Sequence, residues 1–281
     1  MSAADPWTCP TCKAAVATPY CPSCGEQPLS ARHLTLRDLA RQLLIALSNI
    51  DGRLLRSLRR LVVRPGALTV AYVEGRRQPF LGPLQLFLVA NVLFFAVQSM
   101  SRTNVFSTPL ASHLAQQDWS DLARALVSGH LAAVGTTLAA YAPLFDRAAV
   151  LNAKSLVILM VLAFAALLPI VFLRSRRPFA VHVVFSLHLY AFLLLLFCAA
   201  LAVEAVDLLL GGGGLQSPLL DKTVSLVNLA CCAVYLHVAI GRVYGAAGAM
   251  RIVKAAVLSV AVAALVLGYR FAIFLITLYT T

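Results

Sequence analysis

The chain has 281 residues, of which 60% are hydrophobic and only 12% charged, with a mean hydropathy of +0.85. Soluble globular proteins carry about 25% charged residues, so this composition excludes an ordinary soluble domain and predicts an all-α integral membrane protein. The formal charge of +12 arises from 23 Lys and Arg against 11 Asp and Glu. Eleven of the basic residues lie in 1–83, a distribution that suits an anionic inner leaflet or nucleic acid.

The N-terminus is polar and lacks a charged stretch followed by an apolar core, so no signal peptide is predicted and the chain is expected to start in the cytosol. Residues 1–33 form the first unit. Cys9, Cys12, Cys21 and Cys24 stand as C-x2-C-x8-C-x2-C, two knuckles of the kind that present four thiolates to Zn2+ in tetrahedral array. Two disulfides are disfavoured in a reducing cytosol, and a redox C-x-x-C lacks its usual βαβ surroundings. Four cysteine ligands close the coordination sphere, so the zinc is expected to be structural, and the module to fold only with it bound. Lys13 is the only basic residue between the knuckles, so nucleic acid is a weak candidate partner.

Residues 34–83 read as interfacial amphipathic helices. Thr35 and Asp38 fit a capping box ahead of Leu36, Leu39, Leu43, Leu47 and Ile50, which share one helical face. From Arg53 to Arg64, Leu54, Leu55, Leu58, Leu61 and Val62 occupy an arc of roughly 120°, while Arg53, Arg56, Arg59, Arg60 and Arg64 take the remainder. Such a helix is expected to lie on a membrane surface rich in anionic lipids, with Arg76 and Arg77 adding to the basic patch. Arg64-Pro65-Gly66 stops it, and Pro83 fits the first position of the next helix.

Residues 84–281 are predicted to form a five-helix transmembrane bundle, with spans at about 84–100, 155–173, 183–209, 224–240 and 255–279 and an external loop over 101–154. With the N-terminus inside, 17 basic residues fall on the cytoplasmic side, Arg174, Arg176 and Arg177 among them, and six on the other. The positive-inside rule therefore places the C-terminus outside. Within the loop, Gly135, Thr136 and Thr137 interrupt an apolar helix that is expected to lie on the surface. The polar residues of the spans have two readings each. Asn91 and Gln98 share a face and suit interhelical hydrogen bonds or plain packing. His188 and His237 form a proton relay or metal pair, or else reach headgroups separately. Glu204 and Asp207 share a face and can receive Arg270 as a fork, or all three reach the outer headgroups.

Several motifs are held in common with a known group. They are the knuckles ending in Cys24-Gly25, Arg64-Pro65-Gly66, Tyr72 with Gly75-Arg76-Arg77, Pro83, and Phe145-Asp146-Arg147 before Lys154-Ser155. His182-Val-Val-Phe185-Ser-Leu-His188 and Arg242-Val-Tyr244-Gly245 complete the set. In these the chain resembles a bacterial family of uncharacterised membrane proteins with an N-terminal zinc ribbon, a domain of unknown function. The resemblance implies a multi-pass protein of the bacterial inner membrane and supplies no reaction. The chain departs from the pattern in its external loop, which is poor in charge.

No H-E-x-x-H, G-x-S-x-G or carboxylate pair facing a cleft is present, so an enzyme is not expected. The expected function is a non-enzymatic inner-membrane protein whose zinc-stabilised module docks a cytoplasmic protein. The alternative is a small-solute or lipid transporter, which would need interrupted helices or a midplane ion site.

Overall fold

The computed structural model describes residues 7–25, 52–101, 105–115, 117–173, 175, 177–214 and 217–281. The helix expected over 34–50 lies outside the described residues. A two-stranded antiparallel hairpin, β1 (Trp7–Thr8) with β2 (Ala15–Val16), comes first, pairing Trp7 with Val16 and Thr8 with Ala15. Among the described residues, the rest of the regular structure is helix: α1 (Arg53–Val63), α2 (Ala67–Val73), α3 (Pro83–Ser101), α4 (Leu110–Ala115), α5 (Ser120–Val134), α6 (Leu138–Leu156), α7 (Ile158–Val171), α8 (Phe179–Leu209), α9 (Pro218–Tyr244) and α10 (Gly248–Thr280).

Four of these, α3, α8, α9 and α10, are long and apolar enough to cross a membrane. The shortest, α3, has 19 residues and is about 29 Å long at the α-helical rise. They coincide with the first, third, fourth and fifth predicted spans. α8 is the central element, with α3 packed along it and Phe94, Phe106, Phe197 and Tyr269 in edge-to-face contact where α3, α8 and α10 meet.

The second predicted span, 155–173, takes another form. Its apolar run becomes α7, whose 14 residues reach only about 21 Å. The cause is local. α6 runs through Lys154 and Ser155 to Leu156, and Met160 N–H bonds to Val157 O in a tight turn that starts α7. α6 then supplies the missing length. Tyr141 Oη meets Thr281 Oγ1 at 2.6 Å, Phe145 faces Phe274, and Tyr269 Oη donates to Ala153 O at 2.7 Å. These contacts run in opposite order along the two helices, so α6 lies antiparallel against the last third of α10. The segment 101–154, expected as an external loop with one surface-lying helix, is largely helical among its described residues, and its final helix joins the bundle. α5 and α6 meet at 109°, and counted as one broken span they bring the total to five. That bend falls at Gly135 (φ 67°) and Thr137, whose Oγ1 caps α6 by accepting from Ala140 N–H.

One end of the bundle gathers the start of α3, the end of α7, the start of α8, the end of α9 and the start of α10. α1 and α2 fold onto this end as an elbow. Arg64-Pro65-Gly66 makes the corner: Gly66 adopts φ 79°, a left-handed conformation that suits glycine, and a Cβ there would meet Ala239 Cα and O of α9 at 3.0 Å. The corner is held by Arg242, whose Nη1 donates to Pro65 O at 2.8 Å.

Candidate metal centre and the arginine-rich elbow

The two knuckles repeat one backbone device. In Cys9-Pro-Thr-Cys12-Lys13, Lys13 N–H bonds to Cys9 O at 2.9 Å and Lys13 has φ 62°. In Cys21-Pro-Ser-Cys24-Gly25, Gly25 N–H bonds to Cys21 O at 2.7 Å and Gly25 has φ 71°. Each turn points both of its cysteines to the same side. β1 and β2 then bring the two turns together, with Cys9 N–H bonded to Ala14 O and Trp7 Nε1 donating to Thr18 O at 2.9 Å.

The result is a cluster of four free thiols whose sulfur atoms all lie within 4.8 Å of one another. Cys9 and Cys24 Sγ are 3.4 Å apart, as are Cys12 and Cys21, and Cys12 and Cys24 are 3.7 Å apart. Four sulfurs held tetrahedrally at the ~2.3 Å of a zinc–thiolate bond would be ~3.8 Å apart. The donor set and spacing therefore fit a metal ion. The thiols share the charge unequally: a backbone hydrogen bond from Ala14 favours the Cys12 thiolate, but hydrogen bonding to Cys21 and Cys9, with burial, outweighs it and pushes Cys12 up, while Cys21 goes down. Burial works against the Cys21 thiolate, but hydrogen bonds from Cys12 and from the Ser23 and Cys24 backbone outweigh it and bring the thiol down to about 7. A metal held by all four sulfurs has no open position, so its contribution is cohesion. Cys9, Val16 and Cys21 are the module's only buried apolar residues among those described, a small core to which such a metal would add cohesion.

Gln78 links the module to the elbow. Its Nε2 donates to Gly25 O at 3.0 Å, and its Oε1 accepts from Arg53 Nη2 of α1 at 3.3 Å. Sequence reasoning passed over Gln78, whose only signal is its place between Arg77 and Pro79. Ser57 was missed too. It is the lone small polar residue on the buried side of α1, where its Oγ accepts Leu81 N–H at 2.9 Å and fixes the turn into α3.

The arginines of the elbow separate into two groups. Arg56, Arg59 and Arg64 are exposed, and beside them Leu55 and Val62, at one edge of the apolar arc, are exposed as well. Arg60 and Arg77 fold inward onto aromatic rings, while Arg76 stays at the surface. Arg60 lies 5.0 Å from the centre of the Phe80 ring, Arg77 lies 4.6 Å from that of Tyr72, and Arg76 pairs with Glu74. Burial and the nearby charges of Arg64, Arg76 and Arg242 hold Arg60 below the usual guanidinium range.

α2 goes further than an interfacial helix would. Leu68, Thr69, Ala71 and Tyr72 are buried, and Thr69 Oγ1 shares a 2.9 Å hydrogen bond with Nδ1 of His188. His237 is half-buried, and its carbonyl accepts Arg251 Nε at 2.6 Å. Among the described residues no hydrogen bond joins the two imidazoles. Asn91 is half-buried on α3, while Gln98 is buried with its Oε1 unpartnered. At the far end of the bundle, the first of the two readings of Arg270, a fork onto Glu204 and Asp207, is not formed. Asp207 Oδ2 instead accepts Gly214 N–H at 2.9 Å, and Glu204 is buried with Oε2 unpartnered.

Residues 51–95 match a family model described as Protein of unknown function (DUF3667). The matched stretch is the elbow together with the first two-thirds of α3, so the likeness falls on the part that packs against α8 and α9. No curated protein and no solved structure matches the chain.

Proposed function

We propose that this chain is a non-enzymatic, multi-pass protein of a bacterial inner membrane whose module, with Zn2+ bound by Cys9, Cys12, Cys21 and Cys24, docks a cytoplasmic protein. The observation that carries this reading is the convergence of the four thiols in a unit outside the apolar helices, seated on the elbow through Gln78. A closed four-thiolate shell favours a structural metal over a catalytic one. The excess of basic residues on the elbow side supports a cytoplasmic N-terminus. Exposed Leu55 and Val62, flanked by Arg56 and Arg59, support contact of α1 with an anionic lipid surface.

The test is a photo-crosslinking residue placed in cells at exposed Lys13. A discrete adduct that disappears in Cys21→Ser, while the chain remains in the membrane fraction, is the expected result. No adduct, or the same adduct in Cys21→Ser, would overturn the docking role. Transport of a small solute or lipid is the second reading. It draws on buried polar atoms inside the bundle, Tyr190 Oη and Glu204 Oε2, that lack hydrogen-bond partners.

A further inference from the structure

Where α7 ends and α8 begins, a groove of about 400 Å³ opens at the elbow end of the bundle, lined by Pro169, Phe172, Leu173, Ser175, Arg177, Phe179 and His182. One wall is a column of stacked rings. Tyr244 lies parallel to Phe172, with centroids 4.1 Å apart, and parallel to His182, with centroids 5.5 Å apart. Lys254 Nζ stands 4.5 Å from the Phe172 centroid. His182 is itself buried, and its Nδ1 is engaged by Tyr244 Oη at 2.8 Å. The ring's other nitrogen, Nε2, has no hydrogen-bond partner among the described residues. With Nδ1 accepting from the tyrosine, Nε2 carries the proton and is a donor for a ligand. Arg177 is exposed beside it.

The groove is thus polar and cationic at one side and apolar at the other. Leu173 is 82% exposed, Ile170 64% and Phe179 54%, so a greasy strip leads away from the donors. No acidic residue stands anywhere from Arg147 to Val203 or after Asp221. The ion pairs among the described residues are Arg76 with Glu74 and Arg124 with Asp121, and neither involves this region. Among the described residues, no carboxylate pairs with Arg177 or Lys254.

Resting on the reading of the elbow end as the inner-leaflet end, we infer that this groove binds the phosphate headgroup of an anionic membrane phospholipid. Arg177, Ser175 and His182 Nε2 face the phosphate, and an acyl chain lies along Leu173 and Ile170. A soluble phosphate would satisfy the donors, but they stand beside exposed Leu173, where an acyl chain joined to the phosphate can lie, which is why the lipid is favoured.

Native mass spectrometry of the full chain in mild detergent, titrated with phosphatidylglycerol or phosphatidylcholine, tests this. One phosphatidylglycerol should bind in preference to phosphatidylcholine. Arg177→Gln should weaken it roughly fivefold, the effect of one cation at a lipid surface. Leu173→Asp, also at an exposed site, should weaken it too, whereas Arg124→Gln at the far end, the same loss of charge, should not. Equal binding of both lipids, or an unchanged Arg177→Gln, overturns the site. Displacement of the lipid by millimolar inorganic phosphate overturns the choice of lipid. The module's metal has no part in these readouts, so a failure here leaves the docking role standing.

Discussion

Thr69 Oγ1 and His188 Nδ1, 119 residues apart in the sequence, lie 2.9 Å apart, both buried. The bond fixes α2 between α8 and α9, so the elbow is part of the bundle's core and not only a paddle on its surface. Thr69→Val keeps the shape but leaves a buried imidazole nitrogen without its partner, at a cost of about 1–3 kcal/mol. Thermal unfolding in detergent should show the loss in Thr69→Val and little of it in Thr69→Ser. Equal stability of wild type and Thr69→Val would mean that the hydroxyl contributes nothing to seating α2.

Gly66 makes a separate contribution to the same seat. An alanine there would be strained at φ 79° and would also press on the Ala239 backbone, since its Cβ would stand 3.0 Å from Ala239 Cα and O. Gly66→Ala is expected to destabilise the chain by about 1–3 kcal/mol. Because the neighbour is backbone, Ala239→Gly should restore little. Full rescue by Ala239→Gly would show the obstacle to be side-chain volume instead.

The far end of the bundle is expected to respond to acid. His113 is packed 4.8 Å from the Phe274 ring, and its Nδ1 accepts Trp119 Nε1–H at 3.2 Å. Burial, and then the charge of Arg270, push its pKa down to about 4. The unfolded imidazole titrates near 6.5, so between about 6.5 and about 4 the unfolded state binds the extra proton. His113 therefore contributes stability that is whole above about 6.5 and is lost as pH falls toward 4. Protonation at Nδ1 also breaks the bond from Trp119. In a Trp7→Phe background, Trp119 fluorescence should change with a midpoint near 4. A midpoint near 6.5 would mean that the imidazole is solvated.

What the sequence discloses depends on how local the cause is. Length and hydropathy belong to a segment alone, so α3, α8, α9 and α10 could be located without any knowledge of their neighbours. The cysteine cluster was legible for a similar reason, since the C-x-x-C spacing confines each pair to one turn. The second span was not legible, because α7 borrows its length from α6, and α6 owes its place to Tyr141, Phe145 and Ala153 meeting α10 more than a hundred residues later. α2 was hidden likewise. Ala67–Val73 is seven residues with no polar face to read, and its burial rests on His188. Whether Arg270 meets Glu204 and Asp207 was open in the sequence, because spacing along one helix does not specify its azimuth to another, and Asp207 has a nearer donor in Gly214 N–H.

The metal content of the purified full-length chain tests the central claim most directly. Four thiols within 4.8 Å, in a module with almost no core of its own, predict one Zn2+ per chain. Elemental analysis should return that ratio for the wild type and a value near zero for Cys21→Ser, with the variant still recovered from the membrane fraction. A wild-type chain without zinc, or a Cys21→Ser chain that keeps its full complement, would contradict the account.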